Sequence, residues 1–262
     1  MIQCFARELN KQGLMLQLSQ LRRPGSAASI LSETLLQSRW TAADSKINIC
    51  PFISVKDHTW ESYLGTLGSS QRYNFNRRLK NLTKNSSMSL ECVRRLEDAQ
   101  PALDVVIALH RKRWGSRGNS EAFQTSSVEA FHREFVNLAA QREWLRLITL
   151  RLNGTPAAAL YGLRYGPTFY FYQSGFDPLY AKQSAGLVLM GLAIKTAIEE
   201  GVSEYDLLHG DEEYKFHWAS GAHELGRLEL YPPHTPGRIY RHAIAFNRAA
   251  RQMAKRVLSK GL

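Results

Sequence analysis

The chain has 262 residues, enough for one large domain or two small ones, and its 44% hydrophobic content is that of an ordinary globular protein. A formal net charge of +11 and a pI near 9.7 call for an anionic partner: a phosphate-bearing cofactor, an acidic polymer, nucleic acid or a membrane surface, among which charge does not choose. Three widely spaced cysteines, Cys4, Cys50 and Cys92, exclude a disulfide framework and zinc spacing, and no apolar run approaches the ~18 residues of a membrane span, so a cytoplasmic protein is expected.

Met1 to Cys50 has the weakest patterning and lacks the apolar core of a secretory signal. Leu14–Leu18 alternates as a strand, Arg22-Arg23-Pro24-Gly25-Ser26 is a turn, and Ile30, Leu31, Leu35 and Leu36 give Ser29–Trp40 helical spacing. Trp60 to Leu82 reads as a helical region with Trp60, Tyr63, Leu64 and Leu67 on one apolar face. Arg72, Arg77, Arg78, Lys80 and Lys84 follow with no acid between them, interleaved with Tyr73 and Phe75. Such a run is a solvated helix face or a clamp for phosphate, since a guanidinium offers paired donors to paired oxygens. No nucleic-acid motif surrounds it.

Ser89–Arg94 alternates as a strand, and Leu103–Trp114 reads as a helix with Leu103, Val106, Ile107 and His110 on one side. There His110 is a hydrogen-bonded core residue or a base. Val128–Ala140 is a second amphipathic helix, with Phe131, Phe135, Leu138 and Ala139 expected inward. From Trp144 the period becomes two: Leu145–Leu152, the hairpin turn Asn153-Gly154, Pro156–Tyr165, then Gly166-Pro167 and Thr168–Phe176, an antiparallel meander.

The small-residue turn Lys182-Gln183-Ser184-Ala185-Gly186 then opens an apolar helix from Leu187 to Ile198. The first amides of a helix have no acceptor inside it and sit at the positive end of its dipole. An acid-free entrance with Ser184 as N-cap and Gly186 lacking a side chain suits an approaching phosphate; an ordinary strand-to-helix loop has the same composition. Tyr205–Gly210 is a short strand that leads into the polar cluster Asp211–Trp218. The tail, Pro232–Leu262, contains no acid and wraps basic residues around an apolar stripe of Ile239, Ala243, Phe246, Ala250, Met253 and Val257. Such a helix packs on its own domain, binds a partner or lies on anionic lipid.

The order of these blocks resembles the GNAT-type acyltransferases. Ser184-Ala185-Gly186-Leu187-Val188-Leu189 after Gly175-Phe176-Asp177-Pro178, then Tyr205-Asp206-Leu207-Leu208-His209-Gly210 and Glu213-Tyr214-Lys215-Phe216-His217-Trp218, is similar to the CelD-like branch associated with cellulose and exopolysaccharide biosynthesis, a relative of the Fem aminoacyl transferases. Leu109–Trp114 and Gln71–Arg78 are similar to two further blocks of that branch. The resemblance covers Pro51 to Tyr231 and departs from the branch at Ala185, where Pro is usual. It implies an α/β (α+β) fold with a mixed, mainly antiparallel central sheet flanked by helices, its strands splayed into a V at the cofactor site. Residues 51–231 would form the acyltransferase domain, 1–50 an N-terminal arm or remnant of a first GNAT-like half, and 232–262 a basic amphipathic C-terminal helix.

The resemblance further implies acetyl-CoA as donor, no metal, and direct transfer to an amine or hydroxyl of a sugar or polysaccharide precursor. Its cofactor-binding positions are Gln173, Gly175, Lys182, Ser184, Ala185, Gly186 and Leu187. Acyl transfer needs a base for the acceptor, stabilisation of the carbonyl oxygen and a proton for the leaving thiolate. The candidates are His209 as base, Tyr214 as proton donor, Lys215 as polarising cation, and Asp206 beside them. Arg77, Arg78, His110, Arg113, Trp114, Asp211, Glu212 and Trp218 are the substrate-binding candidates. Two alternatives stand. In the first the donor is aminoacyl-tRNA, with Arg72–Lys84 on the RNA; in the second the protein is a non-catalytic accessory subunit whose tail docks on a membrane-bound synthase at the inner leaflet. No HExxH, CxxC or Gly-x-Ser-x-Gly pattern is present.

Overall fold

Ala6 and Leu9, then Ala28, Leu31 and Leu35, stand three or four residues apart, and the chain buries each stripe on a helix. The elements of this stretch are α1 (Ile2–Gln12), β1 (Leu16–Arg22), α2 (Ala27–Gln37) and β2 (Thr41–Ser54). The computed structural model describes residues 2–22, 27–115, 122–234 and 239. It divides into two units, Met1–Ile49 with His223–Leu262, and Cys50–Ala222. In the first, β1 pairs antiparallel with β8 (Gly221–Tyr231), the last strand among the described residues, setting Leu16 opposite Leu230. Trp40 is buried with Leu35, Leu228 and Leu230, its indole N–H donating to Asn10 Oδ1 at 2.8 Å. The N-terminal stretch therefore shares its core with a strand from the other end of the sequence. The two units divide at 49/50 and 222/223. The basic helix expected over 232–262 lies outside the described residues beyond His234, Ile239 excepted.

The helical region expected from Trp60 to Leu82 is two helices, α3 (Trp60–Thr66) and α4 (Ser69–Asn85). α3 opens with reciprocal bonds between Thr59 and Ser62 and ends where Leu67 turns extended (φ −74°, ψ 149°). Then come β3 (Met88–Val93), α5 (Leu96–Trp114), α6 (Ser126–Gln141), β4 (Leu145–Leu152), β5 (Thr155–Tyr165), β6 (Thr168–Phe176), α7 (Ala185–Glu199), β7 (Glu204–Asp206) and α8 (Glu213–Phe216). Within Cys50–Ala222 the strands lie in the order β2-β7-β6-β5-β4-β3, antiparallel except for β6 beside β7. This is the mixed, mainly antiparallel sheet expected, with helices on both faces. Asn153 and Gly154 close the β4–β5 hairpin with φ of 51° and 79°, the left-handed pair that matches strand twist.

Alternation along the strands assigns the faces. Leu145, Leu147 and Tyr161 pack with α5 and α6, whereas Ile148, Leu150 and Leu160 pack with α7. One helix face departs from expectation. On α6 the buried residues are His132, Val136, Ala139 and Ala140, while Phe131 and Leu138 are exposed. An apolar stripe at helical spacing does not say which neighbour covers it, and here the small residues face α5 and the sheet.

The pairing of β6 with β7 lasts three residues, Thr168–Glu204, Phe169–Tyr205 and Tyr170–Asp206. β7 ends there because Asp206 Oδ1 accepts the Leu208 N–H at 2.7 Å, and Leu208 then takes a left-handed conformation, φ 55°, that turns the chain out of the sheet. The same oxygen accepts the Cys50 thiol at 2.9 Å. β6 runs on to Phe176 without β7 beside it, and the two strands splay.

At the far end of α7, the half-buried Glu200 carboxylate receives Arg146 Nε at 2.8 Å and Arg94 Nη2 at 2.6 Å, with Arg164 Nη1 at 3.6 Å. Arg146 is itself buried, so this pair fixes α7 against β4. Glu200→Ala, which leaves the Arg146 charge uncompensated, should lower unfolding free energy by about 3–5 kcal/mol in urea titration; a loss below about 1 kcal/mol would deny the pair this role.

Candidate active site

The chain reaches α7 through a turn whose donors and acceptors are largely used internally. Asp177 Oδ1 accepts the Leu179 N–H at 3.0 Å and Oδ2 accepts Lys112 Nζ at 2.7 Å, and these bonds hold its carboxyl below the usual range. The Tyr180, Ala181 and Ser184 N–H groups return to Asp177, Pro178 and Ala181 carbonyls. Ser184 occupies the N-cap position, but at φ 59° and ψ 39° its hydroxyl caps nothing. Its carbonyl instead accepts the N–H groups of Leu187 and Val188. Among the described residues, the N–H groups of Ala185 and Gly186 have no such acceptor, and they form the free positive end of the helix.

Against this entrance lies a cavity of about 440 Å³. Gly175, Ser184, Ala185, Gly186 and Leu187 line it, together with Arg113, Tyr214 and Trp218. Its inner wall is apolar, built from Leu160, Leu189, Met190 and Phe176. A Cβ on Gly186 would stand 3.3 Å from the Phe176 ring, so the missing side chain keeps the helix entrance open. Gly175 has a different purpose: a Cβ there would meet the His110 backbone nitrogen at 2.2 Å, and its absence lets α5 close on β6.

Arg113 is the cation of the cavity. Its guanidinium lies 5.3 Å from the Trp114 ring and 5.2 Å from that of Phe176, and Nη1 reaches Ser174 Oγ at 3.3 Å. Contact with the two rings and with Ser174 holds the guanidinium beside the cavity. Tyr214 faces the same space. Burial, aided by the Glu212 charge and opposed by Arg113, pushes its phenol up to about 12, so it keeps its proton at neutral pH.

Several expected site residues lie elsewhere. Gln173 turns its Oε1 to the Ser174 N–H, and Lys182 offers its carbonyl to Arg78 Nη1 at 3.0 Å; neither lines the cavity. Asp206 ends β7 as described and does not line the cavity. Lys215 is buried, its Nζ donating to the His209 carbonyl and to Glu212 Oε2 at 2.8 Å each, so it ties down the loop after β7 instead of polarising a substrate. His209 contributes that carbonyl and leaves its ring in solvent, as Asp211 does its carboxylate. Arg77 is exposed and stacks over Tyr73 at 5.8 Å. His110 is buried on α5 between Trp114 and Phe123, with Nε2 unpartnered. Burial, with Arg113 and Arg111 nearby, lowers it to about 4, and a ring so uncharged and enclosed is a core histidine.

Sequence reasoning did not assign Ser174 or Met190 to the cofactor or to the chemistry, and gave His217 only as one of the groups near the reacting centre; all three line the cavity. His217 stands three residues after Tyr214, at the C-cap of α8. Among the described residues no group of three or more His, Cys, Asp or Glu side chains comes together, and no helix is long and apolar enough to cross a membrane.

Residues 69–216 match the acetyltransferase (GNAT) domain family, which is more than half of the chain, and the protein belongs to that family. It is an acyltransferase by fold and by family. Three solved structures are similar over most of their length. A conserved protein of unknown function from Bacteroides thetaiotaomicron is 12% identical, with a TM-score of 0.60 over 87% of this chain and 74% of that one. FemX is 10% identical, with a TM-score of 0.61 over 86% and 74%. L-PGS from Bacillus licheniformis is 10% identical, with a TM-score of 0.60 over 95% and 78%. At these identities the likeness establishes the fold alone. No curated protein sequence matches the chain significantly.

The shift at His110 sets a pH dependence. Because its folded pKa lies below the usual 6.5, the unfolded chain binds more protons between pH 6.5 and about 4, and stability falls as pH falls through that window. His110→Gln should therefore narrow the difference in Tm between pH 7 and pH 4.5; an unchanged difference would remove His110 as its source.

Proposed function

We propose that the protein transfers an acetyl group from acetyl-CoA to an amine or hydroxyl of a saccharide or polysaccharide precursor. The observation that carries this reading is the cavity at the start of α7, which combines unpaired backbone N–H groups, a stacked arginine and a protonated phenol. The residues present fit such a donor. The Ala185 and Gly186 amides and the Arg113 guanidinium would hold its diphosphate, and the side-chain-free Gly186 lets it approach the backbone. Bound there, CoA supplies the activated acyl thioester. The apolar wall of Leu160, Leu189 and Met190 excludes water from the reacting centre. Tyr214 Oη carries the proton that a leaving sulfur requires, and the His217 imidazole at the rim is the group that accepts a proton from the acceptor.

A second reading has its own support. The exposed side of α4 carries Arg72, Arg77, Lys80 and Lys84, which no described carboxylate pairs, and a polyanionic donor such as aminoacyl-tRNA would meet that charge. Thermal shift separates the two. A donor at a hundred times its Kd should stabilise the native state by about 2.7 kcal/mol. A Tm rise with CoA and none with tRNA supports the first reading, and the reverse the second.

Two substitutions probe the site. Gly186→Val should fill the helix entrance and weaken CoA binding at least tenfold in calorimetry, and unchanged affinity would locate the donor elsewhere. Tyr214→Phe should lower kcat about 100-fold or more with donor affinity preserved; a wild-type kcat would release Tyr214 from proton transfer.

A further inference from the structure

A second cationic group stands on the other side of the turn that leads into α7. Arg78 on α4 donates from Nη1 to the Lys182 carbonyl at 3.0 Å, which fixes the guanidinium against the backbone of the turn. Its Nε is buried without a partner, and among the described residues no carboxylate pairs with Arg78 or Lys182. The chain does place acids against neighbouring cations: Lys112 is held by Asp177 at 2.7 Å, at the beginning of the same turn. Arg78 and Lys182 are left uncompensated. Neither lines the cavity, whereas Ala181 and Ser184 on either side of Lys182 do, so Arg78 meets the turn at a residue just outside the cavity. α4 is held firmly in this position, because Phe75 fills the space that a Cβ on Gly191 of α7 would need.

One positive site at the helix entrance and another across a four-residue turn fit a ligand with two anionic groups on one short scaffold. A nucleotide carrying a diphosphate on its 5′ oxygen and a monophosphate elsewhere on the ribose has that form. We propose that Arg78 and Lys182 form a subsite for the ribose 3′-phosphate of the CoA donor, so that the protein discriminates CoA from dephospho-CoA. The proposal rests on the acetyl-CoA reading above.

Calorimetric titration of the full chain at low ionic strength with CoA and with dephospho-CoA tests it. Wild type should bind CoA at least tenfold more tightly. Arg78→Gln with Lys182→Gln should bind both ligands as wild type binds dephospho-CoA, with a preserved Tm reporting an intact fold. If the double variant does not fold, Lys182→Gln alone should reduce the ratio. Equal affinities in wild type, or a ratio that survives in the folded variant, would overturn the subsite while leaving the donor cavity standing. Binding of neither ligand would sink the donor reading and the subsite with it.

Discussion

The geometry of the site depends on where β7 stops. A parallel neighbour paired along the whole of β6 would satisfy its edge and leave no opening. Instead, the Asp206 carboxylate captures the Leu208 amide two residues on, the chain turns left-handed at Leu208, and the ladder ends at Tyr170. Everything from Phe171 to Phe176 is then free of β7, and the space so released is bounded by the start of α7. One side chain-to-backbone bond thus converts a continuous sheet into a sheet with a mouth. Lys215 completes the device from beneath, holding the loop after β7 through the His209 carbonyl.

Charge is distributed with the same economy. The chain carries eleven more basic than acidic side chains, and its well-placed acids are committed to structure: Glu200 to Arg146 and Arg94, Asp177 to Lys112, Glu212 to Lys215. None of these carboxylates lines the cavity. Arg113 and the first amides of α7 therefore face a cavity with no carboxylate among its lining residues, and in a partly enclosed space their field is stronger than in open water. The same field bears on Tyr214, opposing the effect of burial on its phenol, so that cation and proton donor are coupled through the space a ligand would occupy.

Much of this was legible in the residues. The meander Leu145–Phe176, the Asn153-Gly154 turn and the apolar helix after the small-residue turn follow from period and turn chemistry, which are local. The block order was enough to indicate the GNAT fold, and five of the seven residues expected at the cofactor line one cavity. The residues that lie away from the cavity share a cause. Asp206, His209 and Lys215 have the chemistry of a catalytic cluster, but direction and burial decide what such groups meet: Asp206 meets the Leu208 amide and the Cys50 thiol, and Lys215 meets the His209 carbonyl and Glu212. Phe131 and Leu138 have the spacing of a core stripe, yet whether a stripe is covered depends on a neighbour distant in sequence. Arg113, expected at the acceptor, lines the cavity at the helix entrance, where the Trp114 and Phe176 rings contact its guanidinium.

By itself, then, the sequence determined what short-range forces determine: which segments are helix or strand, where the hairpin closes, and that an acid-free helix entrance exists at Ala185. Tertiary structure alone decided what faces that entrance. Pairing of β1 with β8 joined the two ends of the chain into one unit, and the early end of β7 opened the edge of β6. The physical reason is that hydrogen-bond ladders and side-chain burial link residues far apart along the chain, and the energy of each depends on a partner that local spacing does not name.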